Sequence, residues 1–187
     1  MAISEVPAYP WYQVVEGANV TQGDIIFDCP LLVPEANDVL LRAVQGSDEK
    51  LTADVPVQKA NLIVMTQACD IEHSKVNSIV LCPIWPLEGF SKDVPMLQSA
   101  KGREELRRGN SPAFHLLDKD ADFNLDFQVV DFRELYSVPT EVLKLTASKA
   151  GKRPRLLSPY REQLSQSFAR YFMRVGLPID IPPFTKQ

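Results

Sequence analysis

Between Thr66 and His73 the chain reads Thr-Gln-Ala-Cys-Asp-Ile-Glu-His, the densest run of reactive side chains in the sequence. A thiol, two carboxylates and an imidazole fall within five residues, directly after the apolar run Leu62-Ile63-Val64-Met65. Strand ends are where folded sheets present functional groups. One chemistry open to this run is nucleophilic. Cys69 would attack, His73 would take the proton, and Asp70 or Glu72 would orient the imidazole, with Thr66, Gln67 and Glu72 as ligand-binding candidates. His115 is the only other histidine that could act as base. The neighbouring carboxylates oppose this, because they raise a thiol's pKa. A second chemistry is metal binding. Cys69 and His73 lie four apart, and Cys82 with Asp70, Glu72 or Cys29 could complete a tetrahedron. The chain has no paired Cys-x-x-Cys, so no metal ligand and no cofactor is assigned. The plainer reading makes Cys69 a small buried apolar residue and Asp70 the cap of a turn.

A second group of candidates is cationic. From Lys149 to Arg174 the chain carries seven basic residues against one acid, Glu162, whereas Asp118 to Glu134 carries six acids against two bases. The basic block predicts an anionic partner, with Arg155, Arg161, Arg170 and Arg174 as its ligands. RNA is a possible occupant of such a face, because phosphates are bound by clustered Lys and Arg. Trp11, Tyr12 and Trp85 could stack on a ligand, although buried aromatics are commoner.

The elements that must position these groups are short, because fifteen prolines punctuate the chain. Apolar runs predict strands at Ile25–Phe27, Leu62–Met65, Ser78–Ile84, Phe114–Leu117 and Phe127–Phe132, with a further apolar stretch at Val39–Val44. The strand from Ser78 should be stopped by Pro83 and Pro86. Residues 67–77 read as a loop with one helical turn, and Met96–Arg108 as a helix ending near Gly109. Glu141–Ser148 is ambiguous, and Ala150–Arg155 reads as a basic loop. The clearest helix runs from Pro159 to Val175, capped by Ser158, with Leu164, Phe168, Tyr171, Phe172 and Val175 on one stripe. An extended tail covers residues 178–187.

Three of these segments carry a family resemblance. Gly23-Asp24-Ile25-Ile26, then Leu62 to Thr66, then Ile79-Val80-Leu81-Cys82-Pro83-Ile84, resemble the strands of the PemK/MazF-type toxins. The resemblance implies an SH3-like barrel and, by extension, an RNA-cleaving activity. The family cuts RNA with an early-loop Arg and a Thr after Pro-Ile; here Trp85 follows Pro83-Ile84, and Arg42 does not align with that loop. The resemblance therefore supports the barrel more than the ribonuclease.

Bulk properties set the outer bounds. The chain has 187 residues, 45% of them hydrophobic, a net charge of −4 and three cysteines. One self-sufficient domain over 1–187 is expected, with a β-rich core at about 20–135 and no disulfide framework. The N-terminal residues lack the pattern of a signal peptide, and no apolar run is long enough to span a bilayer, so a cytoplasmic protein away from membranes is expected. The expected fold is α+β: a curved antiparallel sheet or small SH3-like barrel, with the C-terminal amphipathic helix packed on it. The leading functional expectation is a binding module of a bacterial accessory system, of a defence- or toxin-related kind, for a protein or an anionic ligand. A toxin-type ribonuclease and a zinc-stabilised scaffold are the alternatives. Oligomeric state is left open.

Overall fold

The computed structural model describes residues 9–33, 42, 44, 45, 52 and 54–173. Eight strands are present among them: β1 Tyr12–Val15, β2 Ile25–Leu32, β3 Val57–Val64, β4 Ser78–Pro86, β5 Phe114–Leu117, β6 Gln128–Asp131, β7 Tyr136–Pro139 and β8 Arg153–Leu156. The helices are α1 Ala68–Glu72, α2 Leu87–Phe90, α3 Ala100–Arg107, α4 Thr140–Ala150 and α5 Tyr160–Phe172, with a 3₁₀ turn at Pro95–Gln98. The fold is α+β, and every named strand pairing is antiparallel. The stretch at Val39–Val44, the cap region after Met173 and the tail at 178–187 lie outside the described residues, apart from Arg42 and Val44.

The main sheet runs β2-β3-β4-β6-β5, with β7 also on β4. The three segments of the family resemblance are therefore adjacent strands. β4 is long enough to take two partners in succession along one edge. Ser78–Leu81 pair with β7, and Ile84–Pro86 pair with β6. This arrangement explains why β4 runs through Pro83, where a stop was expected. Pro83 pairs with Leu62 of β3, three places from the hydrogen-bonded step in which Met65 N–H meets the Val80 carbonyl, and edges alternate residue by residue. The missing N–H of Pro83 thus points to the other edge, where the run from β6 to β7 is interrupted and nothing needs a donor.

A two-stranded ribbon, β1 with β8, adjoins the start of β2 through an Asp24–Arg155 bridge. Gly23 makes that approach possible: its φ is +83°, and a Cβ there would lie 3.0 Å from the Leu156 Cβ. At the far side the Tyr12 hydroxyl donates to the Asp118 carbonyl at 2.8 Å, just beyond β5. The sheet therefore curls until its ends meet through a side chain. Among the described residues its strands do not close into a barrel.

Curling gives the sheet two apolar faces. One buries Ile26, Cys29, Leu62, Val64, Leu81 and Val138 beneath Leu143 and Ala147 of α4. The other buries Ile25, Ile63, Cys82, Val130 and Phe132 beneath Leu164 of α5. The predicted stripe on α5 holds for Leu164, Phe168 and Tyr171, which join this second core, but Phe172 is 57% exposed. Ser158 does not cap α5, whose N-cap is Pro159 without a side-chain bond. A third cluster seats Leu97 and Leu106 against Phe114 and Val129. There Gly102 is obligatory, since a Cβ would sit 1.6 Å from the Met96 carbonyl oxygen.

The basic loop expected at Ala150–Arg155 is in part strand β8, and Arg153 is 1% exposed. Its charge is met inside by Asp24, itself 0% exposed. Arg153 Nε donates to Asp24 Oδ2 at 2.8 Å, and its other nitrogens donate to the carbonyls of Gly17 and Asn19 at 2.7 and 2.6 Å. Arg155 donates to the same carboxylate and to Asn19. Solvation is replaced donor by donor, which is what lets a guanidinium leave water.

Candidate functional site

The octet after β3 folds as strand end, turn and a single short helix. The Thr66 hydroxyl accepts the Val80 N–H at 2.8 Å and ties the strand end to β4. Ile71 points into the first core, which rotates its neighbours outward. Cys69 is exposed, with its sulfur 3.7 Å from Asp70 Oδ1 and 3.8 Å from Gln67 Oε1. The reading of Cys69 as a buried apolar residue is thereby corrected; Ile71, not the thiol, supplies the apolar anchor of this turn. Asp70 pairs with Lys75 at 3.3 Å. Glu72 and His73 stand in solvent, and His73 makes no side-chain hydrogen bond among the described residues. Thiol, acid and imidazole are thus not linked into a relay.

The other two thiols are elsewhere. Cys29 lies in the first core and Cys82 in the second, on opposite faces of the sheet. Burial pushes the Cys29 thiol up to about 11. Burial, with Asp131 nearby, pushes Cys82 up to about 12. Among the described residues no three His, Cys, Asp or Glu side chains are grouped to hold a metal ion. The protein has at least five surface cavities of about 370–610 Å³, and residues 66–73 line none of them.

The basic candidates also separate. Arg155 is consumed by Asp24, and Arg161 by Glu162 at 2.7 Å. Arg174 lies outside the described residues. Among the described candidates, Arg170 faces a cavity. It stands between two adjoining hollows of about 380 and 370 Å³, which share Gly109, Ser167 and Arg170. Three elements build this cleft. The polar face of α5 supplies Gln163, Gln166, Ser167 and Arg170, β5 supplies His115, and the end of α3 supplies Arg107 and Arg108. Trp11 closes one end, stacked on Tyr160 at 3.8 Å between centroids.

The charge in this cleft is unbalanced. Glu104 binds both Arg107 and Arg108 at 2.7 Å, and hydrogen bonds from these two hold its carboxyl down to about 2. Arg170 has no acidic partner among the described residues. Three guanidiniums thus meet one carboxylate. Of this lining the sequence points to Arg170 as an anion ligand, Trp11 as a stacking candidate and His115 as a candidate base. The spacing of Gln163, Ser167 and Arg170 at i, i+4 and i+7 was an available signal of a second, polar face on α5.

His115 forms part of the wall. It is 9% exposed, and its Nδ1 lies 3.2 Å from the Ser167 hydroxyl, while its Nε2 is buried without a partner. Burial lowers its pKa from 6.5 to about 4. The folded state therefore holds the ring neutral while the unfolded chain still takes up a proton. As pH falls from 6.5 to 4, this group withdraws about 3 kcal/mol of stability, all of it present above 6.5. Urea unfolding at pH 7 and pH 4.5 should show that loss in the wild type. A His115→Gln variant should show a markedly flatter pH dependence over the same window. Equal slopes for the two proteins would contradict the assignment.

No protein-family model matches this sequence, and no curated protein matches it either.

Proposed function

We propose that this protein is a binding module for an anionic ligand, seated in the cleft between α3, β5 and α5. The observation that carries the reading is Arg170, an arginine in a concave site with no carboxylate partner among the described residues. A planar fork of donors left open in a cleft suits a phosphate or carboxylate. Arg107 and Arg108 on the facing wall add positive potential, and Gln163, Gln166 and Ser167 add neutral donors. Trp11 offers an aromatic edge for a ligand that carries a ring. The bacterial accessory or toxin-related setting, and the SH3-like character of the β2-β3-β4 meander, rest on the three-strand resemblance alone.

The test is calorimetric titration with inorganic phosphate, a mononucleotide and a short single-stranded RNA. Binding should weaken with added salt in proportion to the phosphates engaged. Arg170→Ala should lower affinity about ten- to a hundredfold, the worth of one charge-assisted hydrogen bond, with thermal melting unchanged. Equal affinity in wild type and variant would overturn the reading. The same samples, incubated with RNA in a chelator, separate binding from chemistry. A binding module leaves the RNA intact, whereas cleavage would make the toxin-type ribonuclease the better reading.

A further inference from the structure

We propose a second recognition surface: the groove between the β2–β3 hairpin and α4 docks an acidic peptide segment of a partner protein, one that also carries aliphatic side chains. The groove has a volume of about 610 Å³. Its apolar floor comes from the outer side of α4, where Val142 is 43% and Leu145 is 56% exposed. α4 therefore carries two apolar stripes. Leu143 and Ala147 are spent on the first core, and Val142 with Leu145 have no cover. Around that floor stand Lys59, Lys149 and Lys152, all exposed and none with an acidic partner among the described residues. The one acid in the lining is Asp28, at the bulge of β2. Three free cations against one carboxylate ask for an acidic occupant, and the aliphatic floor asks for apolar side chains between its acids.

Other anionic partners fit less well. A bilayer is flat and presents its charges in a plane, whereas this surface is concave and sets Asp28 among its cations. Single-stranded nucleic acid is held by successive aromatic platforms; this lining has one ring, Phe27, half-buried and set against Phe123, beside an aliphatic floor. A peptide segment carries acids and aliphatic groups side by side, as the lysines and the apolar floor require.

The experiment is selection of a random-peptide display library on the immobilised full chain, followed by affinity measurement of the enriched peptides. Enriched sequences should intersperse Asp or Glu with Leu, Val or Ile. Their affinity should drop about tenfold or more for the triple variant Lys59→Glu, Lys149→Glu, Lys152→Glu. All three positions are exposed, so this variant should keep the wild-type melting transition; if it does not, Lys149→Glu alone carries the comparison. Enrichment of sequences without acids, equal affinity for the variant, or no enrichment at all would each overturn the proposal. So would sedimentation of the wild type, but not of the variant, with phosphatidylcholine–phosphatidylserine vesicles. Arg170→Ala should leave this binding unchanged, which separates the groove from the cleft.

Discussion

Asp24→Ala is expected to cost about 3–5 kcal/mol of folding free energy, enough to unfold a domain of ordinary stability. The carboxylate is fully buried and is the acidic partner of Arg153, which is itself 1% exposed, and of Arg155, at 16%. Removing it leaves two guanidiniums facing each other inside the protein. The carbonyls of Gly17 and Asn19 would still accept hydrogen bonds from them, but carbonyls carry no charge. Replacing one side chain therefore costs far more than the pair is worth, because the cost is an uncompensated interior charge. Asp24→Asn keeps an acceptor and should cost less than alanine while still exceeding a surface substitution. A compensated variant, Asp24→Ala with Arg153→Met and Arg155→Met, should recover much of the loss. Urea unfolding of the variants decides the matter. A loss below about 1 kcal/mol for Asp24→Ala would mean that water reaches the arginines and that the cluster is not closed.

The same cluster shows what could be read from the chain and what could not. β2, β3, β4, β5 and β6 were legible because their apolar runs report burial locally. β8 was not. Arg153 and Arg155 read as solvated, and their burial depends on an acid 129 and 131 positions away. No local pattern encodes that pairing. β1 escaped for a related reason: it pairs only with β8, so its existence is contingent on the same cluster. The candidate site divides along similar lines. The octet at 66–73 drew notice because its reactive groups are neighbours in sequence, yet a turn anchored by Ile71 spreads neighbours apart. The cleft joins residues around 107, 115 and 163–170 with Trp11, and the His115–Ser167 bond across it spans 52 positions. Arg170 was legible as a cation but not as one without an acidic partner among the described residues, because pairing is a property of the fold. His115 was legible as a strand residue, but its Ser167 partner and the bare Nε2 behind it were not, because both depend on where α5 packs.

Phe132→Ala is expected to cost about 3–5 kcal/mol and, at the same time, to release His115. Phe132 is fully buried just after β6, at the break between β6 and β7. From there its ring reaches α5, meeting Phe168 edge-on at 5.4 Å and Tyr171 at 6.3 Å. Its other neighbour is the His115 imidazole, 6.4 Å away and nearly parallel. One side chain thus fastens the C-terminal helix to the sheet and walls off the imidazole. Truncation opens a cavity against α5, which supplies the stability term. It also admits water to the ring whose low pKa is caused by burial. The His115 titration should then move from about 4 back toward 6.5, and the acid-side loss of stability should shrink with it. Phe132→Leu keeps most of the volume and should cost well under the alanine change, with a smaller rise in pKa. Urea unfolding measures the first effect, and an NMR titration of the imidazole protons measures the second. A destabilised Phe132→Ala protein whose His115 still titrates near 4 would show that the wall around the imidazole is built by α5 and β5 without this ring.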